Sequence, residues 1–467
     1  MADREELYEI VRQLAADRDT FTPDDVRPLL PEGVSPRAIP GVFSKARRDG
    51  LIEEVGRIKS LVPESKGRLI AVYSRPGSQL AFAETSGDPA AVTLSDASQE
   101  IRLLRDDLES SGYLCGVEEV ASILLMMAAR QWLVLSGPSG TGKSSIVRHI
   151  SSALGGTMHD IQVKPNWISS EDTLGYYSET SRGFVPGILT SALMAAGCDE
   201  NLHFIRFDEM NLASPEYYLA EVLSAGEGWQ RDSDGQYRSD SVQLPPAPTD
   251  IELPQIFLTD RVFLVGTVNI DETTRPLSPK VLDRAAVYDL HHVDLSSIPS
   301  VAGGPSAQKS SDFPALRRLL GDRPHSLSDL ALPDGLVAEL GDLLEGINAY
   351  GRSLGGPVAY RARDALLNMV TLAEKHQLAD ILTRSAVVDI GLRSCIVPKW
   401  QGSTQAAIAA LRRLIVFLLD ANADSDIAEI TPEVVRSRIP GSRFPRTVEK
   451  LTSMLEQAMA LGYFSAW

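Results

Sequence analysis

The sequence predicts a multidomain protein of 467 residues: a small α+β unit first, an α/β core next, and an α-helical region to the end. Three observations predict it. Apolar residues at helical spacing precede two short strand-like runs within residues 1–75. From about residue 106 to 296, strand patterns alternate with helix patterns. From 313 to 467 the apolar period is helical throughout. Periodicity of 3.6 against 2 separates these classes.

In the first unit, Leu7, Ile10, Val11 and Leu14 share a helix face. Thr22 then stands as an N-cap before Pro23, a pair suited to a helix start. "SPRAIPGVFSKARRDG" reads as a third helix ending at Gly50, and Leu51–Val55 and Arg68–Tyr73 as a hairpin. Three helices and a hairpin in this length predict a winged helix. Residues 1–36 carry nine acids and four bases, whereas residues 37–75 carry nine bases and four acids. Those bases include Arg37, Lys45, Arg47, Arg48, Arg57, Lys59, Lys66 and Arg68. They fall on the third helix and the hairpin, the groove-facing parts of such a unit, and are candidate DNA contacts. A solvated charged face would look the same.

Residues 76–105, rich in Gly, Pro, Ser and Ala over most of their length, read as a linker, as does "SSIPSVAGGPSAQKSSD" at 296–312. The chain carries a net charge of −17, which argues against a surface covered in nucleic-acid contacts but not against one basic domain. Cys115, Cys198 and Cys395 are few, odd in number and far apart. They form no disulfide or zinc framework and fit a reducing cytoplasm. The apolar run from Ile123 to Leu135 is broken by Arg130 and is too short to span a bilayer, so no membrane role is expected.

The chemistry-bearing stretch follows the strand-like "WLVL". "GPSGTGKSS", Gly137, Pro138, Ser139, Gly140, Thr141, Gly142, Lys143, Ser144 and Ser145, fits G-x-x-x-x-G-K-[ST] and leads into a helix. Glycines let backbone N–H groups wrap phosphates at a helix N-terminus. Lys143 is placed to reach the β/γ-phosphates, and Ser144 to ligate Mg²⁺. The strand "LHFIRFDE" ends in Asp208 and Glu209. Asp208 suits the metal side, and Glu209 the orientation of an attacking water. "RVFLVGTVNI" ends in Asn269, a candidate for sensing the γ-phosphate, and "SPKVLDRA" presents Arg284 where a neighbouring subunit's phosphate-seeking arginine would sit. Taken singly, an acid pair is often a solvated strand end and an arginine a surface ion pair.

The order P-loop, "FDEMN", "GTVNIDETTRPLSPKVLDRA" resembles an AAA+ ATPase of the MoxR/McrB branch. The resemblance is closer to McrB-type proteins, the motor subunits of McrBC-like modification-dependent restriction systems. It extends over about 115–467, through "VKPNWISSEDTLGYYSETSRGFVPGIL", "VAYRARDAL", "IVPKWQGS" and "FPRTVEKLTSMLEQAMALGYFSAW". It implies an α/β P-loop AAA+ core with a C-terminal α-helical lid and a homo-oligomeric ring, a hexamer. It also implies a McrC-like nuclease subunit as partner, since no PD…(D/E)xK nuclease arrangement is read in this chain. By position it makes Asn269 the strand-end sensor, Arg284 the trans-acting finger and Arg361 a lid residue touching the nucleotide. Trp167 and Tyr176 would lie toward the partner or a central channel, or in the core. The sensor strand departs from the family's "MNTAD", reading "VNIDE". Base choice is therefore open, and ATP is the expected substrate because the resemblance is to AAA+ proteins, most of which use it. The implied function is a DNA-binding motor coupling ATP or GTP hydrolysis to a nuclease in anti-phage defence. Alternatives are a MoxR-like chaperone remodelling a protein client, and a nucleotide-controlled DNA-binding switch.

Overall fold

The computed structural model describes residues 8, 10–12, 26, 39–49, 51–59, 69–74, 96–231, 236–248, 251, 253–270, 275–290, 313–325, 329–419 and 430–467. The chain divides into two compact units, Met1–Leu94 and Ser95–Trp467.

In the first unit, helix α1 (Ile39–Arg48) is followed by an antiparallel ribbon, β1 (Glu53–Lys59) against β2 (Leu69–Ser74). Val42, Phe43 and Ala46 lie on one face of α1 and bury with Val11, Val26 and Ile52 in a small core. On the flank of that face Lys45 is exposed, its ammonium 4.7 Å from the centre of the Tyr8 ring. Arg47 is also exposed and Arg48 ends the helix, while Arg57 and Lys59 occupy β1. Arg37, Lys66 and Arg68 lie outside the described residues, as does most of the first two expected helices. Helix followed by ribbon is the described part of the winged-helix expectation.

The second unit begins earlier than the linker expectation allows. Helix α2 (Ala97–Ser110) starts inside residues 76–105, capped by Asp96, whose carboxylate accepts the Ser98 N–H at 3.1 Å. Ile101, Leu104 and Leu108 face the core at helical spacing, so from Asp96 onward the stretch is corrected to folded structure. Helix α3 (Val117–Ala129) is buried from Val120 to its end. Strand β3 (Trp132–Gly137) and helix α4 (Lys143–Ala153) follow, then β4 (Thr157–Gln162). A hairpin, β5 (Gly175–Ser178) with β6 (Gly183–Pro186), leads to α5 (Ile188–Ala196) and β7 (His203–Asp208). A small ribbon, β8 (Trp229–Arg231) with β9 (Tyr237–Ser239), precedes β10 (Val262–Asn269) and β11 (Ala285–Asp289).

Five of these strands form one parallel sheet in the order β11-β3-β10-β7-β4. A parallel sheet is covered on both faces, and the strand sequences show it. Along β3, Leu133 and Leu135 join one apolar cluster, whereas Trp132 and Val134 join the other. Along β10, Phe263 and Val265 alternate in the same way with Val262, Leu264 and Val268. The hairpin depends on Gly175, at φ +100, because a Cβ there would strike the backbone of Val185 and Gly187. Tyr176 on this hairpin is 52% exposed, while Trp167 is buried edge-on against Tyr218, ring centres 5.3 Å apart. Of the two aromatics, Trp167 is a core residue.

The C-terminal region is helical, as expected: α6 (Pro314–Gly321), α7 (Leu336–Gly351), α8 (Tyr360–Lys375), α9 (Arg384–Cys395), α10 (Gln405–Leu418), α11 (Pro432–Arg438) and α12 (Pro445–Leu461). Its core is continuous with the sheet face covered by α2, α3 and α4. Asp389 on α9 is fully buried and accepts the N–H groups of Arg446 and Thr447 at 2.8 and 2.9 Å, satisfying the first turn of α12. Burial pushes its carboxyl pKa up, against the pull of these bonds. Two quoted segments meet in a short ribbon, β12 (Gln401–Gly402) with β13 (Phe464–Ser465), and the Trp467 indole N–H donates to the Pro398 carbonyl at 2.8 Å. Among the described residues no helix is long and apolar enough to cross a membrane.

Candidate active site

Strand β3 delivers a loop whose Gly137, Gly140 and Gly142 have φ of +150°, +84° and +85°. Those angles turn the backbone around the space that precedes α4. Gly142 caps α4 without a side-chain bond, leaving a helix N-terminus suited to an anion. Lys143 is only 6% exposed, and its ammonium donates to the carbonyls of Gly137 and Pro138 at 2.9 and 2.6 Å. Burial lowers its pKa, while Asp208 and Glu209 oppose that shift. Thr141 ties the loop through its hydroxyl to the Pro138 carbonyl at 3.0 Å.

The three strand ends converge as the register dictates. β10 lies between β3 and β7, so Asn269 pairs with Gly137 on one side, while Gly266 pairs with Phe207 on the other. The Ser144 hydroxyl donates to Asp208 Oδ1 at 2.7 Å. The Thr267 hydroxyl donates to the same oxygen at 2.9 Å and accepts the Glu209 N–H at 3.0 Å. Glu209 has φ +52, a left-handed conformation uncommon outside glycine and asparagine, and such strain concentrates at functional sites. Asn269 Nδ2 donates to Glu209 Oε1 at 3.1 Å, and Asn211 Nδ2 donates to the Asn269 carbonyl at 3.2 Å. One connected chain therefore joins Ser144, Asp208, Thr267, Glu209 and Asn269.

The donor set fits a hard divalent cation. Ser144 and Asp208 offer oxygen ligands beside a phosphate-binding loop, the pattern Mg²⁺ takes when phosphates and water complete its shell. Among the described residues no cluster of His, Cys, Asp and Glu forms a closed protein cage for a metal.

Two positioning residues were not singled out by the sequence reading. Thr267 is one, and its signal was available: two residues before Asn269, it shares that residue's side of β10. Arg206 is the other. It is 4% exposed, donates to the Ser144 carbonyl at 2.6 Å and pairs with Asp160 at 2.9 Å. At the end of β11, Asp289 accepts the Ser136 hydroxyl. Lys450 on α12 and Arg393 on α9 reach it at 3.1 and 3.6 Å. Both cations come from the helical region.

Arg284 and Arg361 stand at the other end. Arg284 directly precedes β11, whose Ala285 pairs with Trp132, the first residue of β3. The P-loop leaves the last residue of β3, and at ~3.3 Å per residue the two ends are separated by roughly 17 Å. Arg130, just before β3, donates to the Asp283 carbonyl at 2.6 Å and to the Arg361 carbonyl at 2.9 Å, which fixes Arg361 there as well. Arg361, expected to touch the nucleotide, therefore lies away from the P-loop of its own chain, because α8 packs its first turn against the start of β3. Arg361 pairs with Asp283 at 2.9 Å and with Glu227 at 3.2 Å, and Arg284 pairs with the same Glu227 oxygen. Lys399 reaches Asp283 at 3.1 Å. Burial works to raise the Asp283 carboxyl pKa, but Lys399 and Arg361 outweigh it and hold it below the usual range. These groups line an open cleft of 630 Å³.

The family comparisons agree with this geometry. Residues 132–285 match the AAA domain family of the dynein-related subfamily. Residues 324–463 match a domain of unknown function, DUF8727. None of the curated proteins matches the chain. Among solved structures, the chain is similar to a protein of Cytophaga hutchinsonii provisionally named an ATPase, at 14% identity and a TM-score of 0.46, over 74% of this chain and 94% of that one. The AAA match spans the α/β core from β3 to the start of β11, the stretch that carries the P-loop, Asp208 and Glu209.

Proposed function

We propose that the protein is an ATP-hydrolysing AAA+ motor of the MoxR/McrB kind, working as a homo-oligomeric ring, a hexamer. The observation that carries the hydrolytic part is the bonded chain from Ser144 through Asp208 and Thr267 to Glu209, lying against the P-loop. Lys143 exchanges the loop carbonyls for β- and γ-phosphate oxygens, and the helix α4 N-terminus faces the same anion. Ser144 and Asp208 would hold Mg²⁺, which would neutralise charge on the phosphate oxygens. Glu209 orients a water for in-line attack at the γ-phosphorus, and Asn269 holds that carboxylate in place. The bond from phosphorus to the β–γ bridging oxygen breaks, and ADP and phosphate leave.

Arg284 and Arg361 lie too far from their own P-loop to assist it. A neighbouring subunit's γ-phosphate brought to their cleft would complete the site, so hydrolysis requires assembly. The N-terminal unit engages DNA through the basic residues of α1 and β1, with Arg37, Lys66 and Arg68 adding to the same excess of bases. A separate McrC-like nuclease receives the motor's work. Support for these finer statements is the charge bias of residues 37–75 and the resemblance over about 115–467.

The test is turnover by the purified full chain with ATP and with GTP, with and without DNA. ATP hydrolysis stimulated by DNA is expected, and Lys143→Ala abolishes nucleotide binding. Stimulation by a protein client alone would favour the remodelling reading. DNA binding controlled by nucleotide without appreciable turnover would favour the switch.

A further inference from the structure

The two arginines at the N-terminal edge of the sheet are held together by one atom. Oε1 of Glu227 receives both the Arg284 and the Arg361 guanidinium. Two like charges placed this close repel, and Arg284's pKa is lowered by burial and then by Arg361. Arg284 spends one arm on the Lys280 carbonyl at 2.8 Å, and its Nε is buried without a hydrogen-bond partner. A geometry of two guanidiniums converging on one anionic oxygen is also what a phosphate oxygen requires.

Glu227 differs from the other acid here. Asp283 is committed to Lys399 as well as Arg361, and Arg130 grips its backbone. The Glu227 side chain is 48% exposed, and its ion pairs among the described residues are with the two arginines. Its backbone is less free. It follows the helix Ala220–Ala225, and the stretch leading there is anchored by Tyr218, Leu219 and Val222, each fully buried. The Tyr218 hydroxyl donates to the Met210 carbonyl at 2.9 Å, tying the stretch back to the residue after Glu209. The carboxylate therefore leaves the arginines by rotating its side chain, with no shift of the fold. A half-exposed ion pair is weak, and a terminal phosphate carries more charge than a carboxylate.

We propose that Glu227 is a displaceable stand-in for phosphate: it holds Arg284 and Arg361 as a ready pair in the lone subunit, and a neighbouring subunit's γ-phosphate takes its place on assembly. This inference rests on the reading that Arg284 acts in trans. Glu227 is a positioning residue that competes with the incoming anion, so it sets the subunit concentration at which the ring becomes active.

The experiment measures ATP turnover of the full chain against subunit concentration for wild type, Glu227→Gln, Glu227→Ala and Arg284→Ala. Removing the competing charge lowers the concentration for half-maximal turnover by about three- to tenfold in both Glu227 variants. A merely structural Glu227 would act in the opposite sense, raising that concentration and lowering the thermal midpoint. An unchanged or raised concentration in the Glu227 variants, with Arg284→Ala inactive, overturns this inference alone. Full turnover in Arg284→Ala overturns the trans reading and this inference with it.

Discussion

The two ends of one β-sheet carry opposite kinds of charged cluster. At the C-terminal edge sit a phosphate loop, Ser144, Asp208, Thr267, Glu209 and Asn269, joined by hydrogen bonds. At the N-terminal edge sit Arg284, Arg361, Lys399 and Arg130, gathered around Glu227 and Asp283. At the first edge the acids are the ones proposed to hold a metal and orient water, and Arg393 and Lys450 of the helical region pair with Asp289. The second has arginines and no nucleotide loop. The comparison teaches that one chain keeps its acid network and its arginine cluster at opposite ends of the sheet, which is why the proposed function needs a second subunit to bring them together. Head-to-tail contacts give a ring where the rotation closes and a filament where it does not, and the proposed function takes the first.

The largest effect is expected from the donor end. Arg284→Ala should lower kcat by about a thousandfold or more, with nucleotide affinity at the P-loop retained in an equilibrium binding assay. Loss of affinity instead would mean that Arg284 serves its own subunit's site, breaking the comparison. Next comes the acceptor end. Glu209→Gln should bind nucleotide yet turn over about a hundred- to a thousandfold more slowly in single-turnover assays. Thr267→Val sharpens the picture of that end. It keeps the shape and removes the hydroxyl that serves both Asp208 and Glu209, so kcat should fall by about tenfold, with a smaller change in KM.

The smallest effect concerns pH and the donor edge. His325 lies between the rings of Trp229 and Tyr237, with centres 4.2 and 4.3 Å away, beside the cleft that also takes in Arg284 and Arg361. Burial, with Arg323 adding to it, pushes its pKa down to about 3. An unfolded histidine titrates near ~6.5, so between these values the unfolded chain binds the extra proton. Stability from this residue is present above the unfolded value and is lost as pH falls toward the folded one. Thermal midpoints measured from pH 7 to pH 4 should fall, and His325→Phe should flatten part of that slope.

How much of this was legible in the sequence follows from distance along the chain. The phosphate loop is contiguous, and Asp208 with Glu209 ends a strand, so both were readable as local patterns. Thr267 was readable in principle, because period-2 alternation puts it on the side of Asn269. Arg206 was not, since its value lies in reaching across to the Ser144 carbonyl, a contact set by the crossover order of the strands. The helical region shows the sharper limit. Its 3.6-residue period announces helices, but no local rule says which end of the sheet each arm meets. Arg361 was placed at the nucleotide by resemblance alone, and in the fold it is Arg393 and Lys450 that reach Asp289 beside the P-loop strand. Glu227, between two glycines in a turn, offered no signal at all until Arg284 and Arg361 were brought to it. The linker's end was misplaced for a simpler reason: composition rich in small residues hid Asp96, whose side chain starts a helix.

The central claim, that each catalytic site is shared between two subunits, is tested most directly by mixing two inactive chains. Glu209→Gln keeps its arginines and Arg284→Ala keeps its water-orienting carboxylate. Mixed in equal amounts, they form interfaces in which an intact Glu209 faces an intact Arg284. The account predicts that ATP turnover returns in the mixture, to roughly a quarter of the wild-type level when half of each pairing is drawn at random. A mixture that stays as inactive as its two components would contradict it.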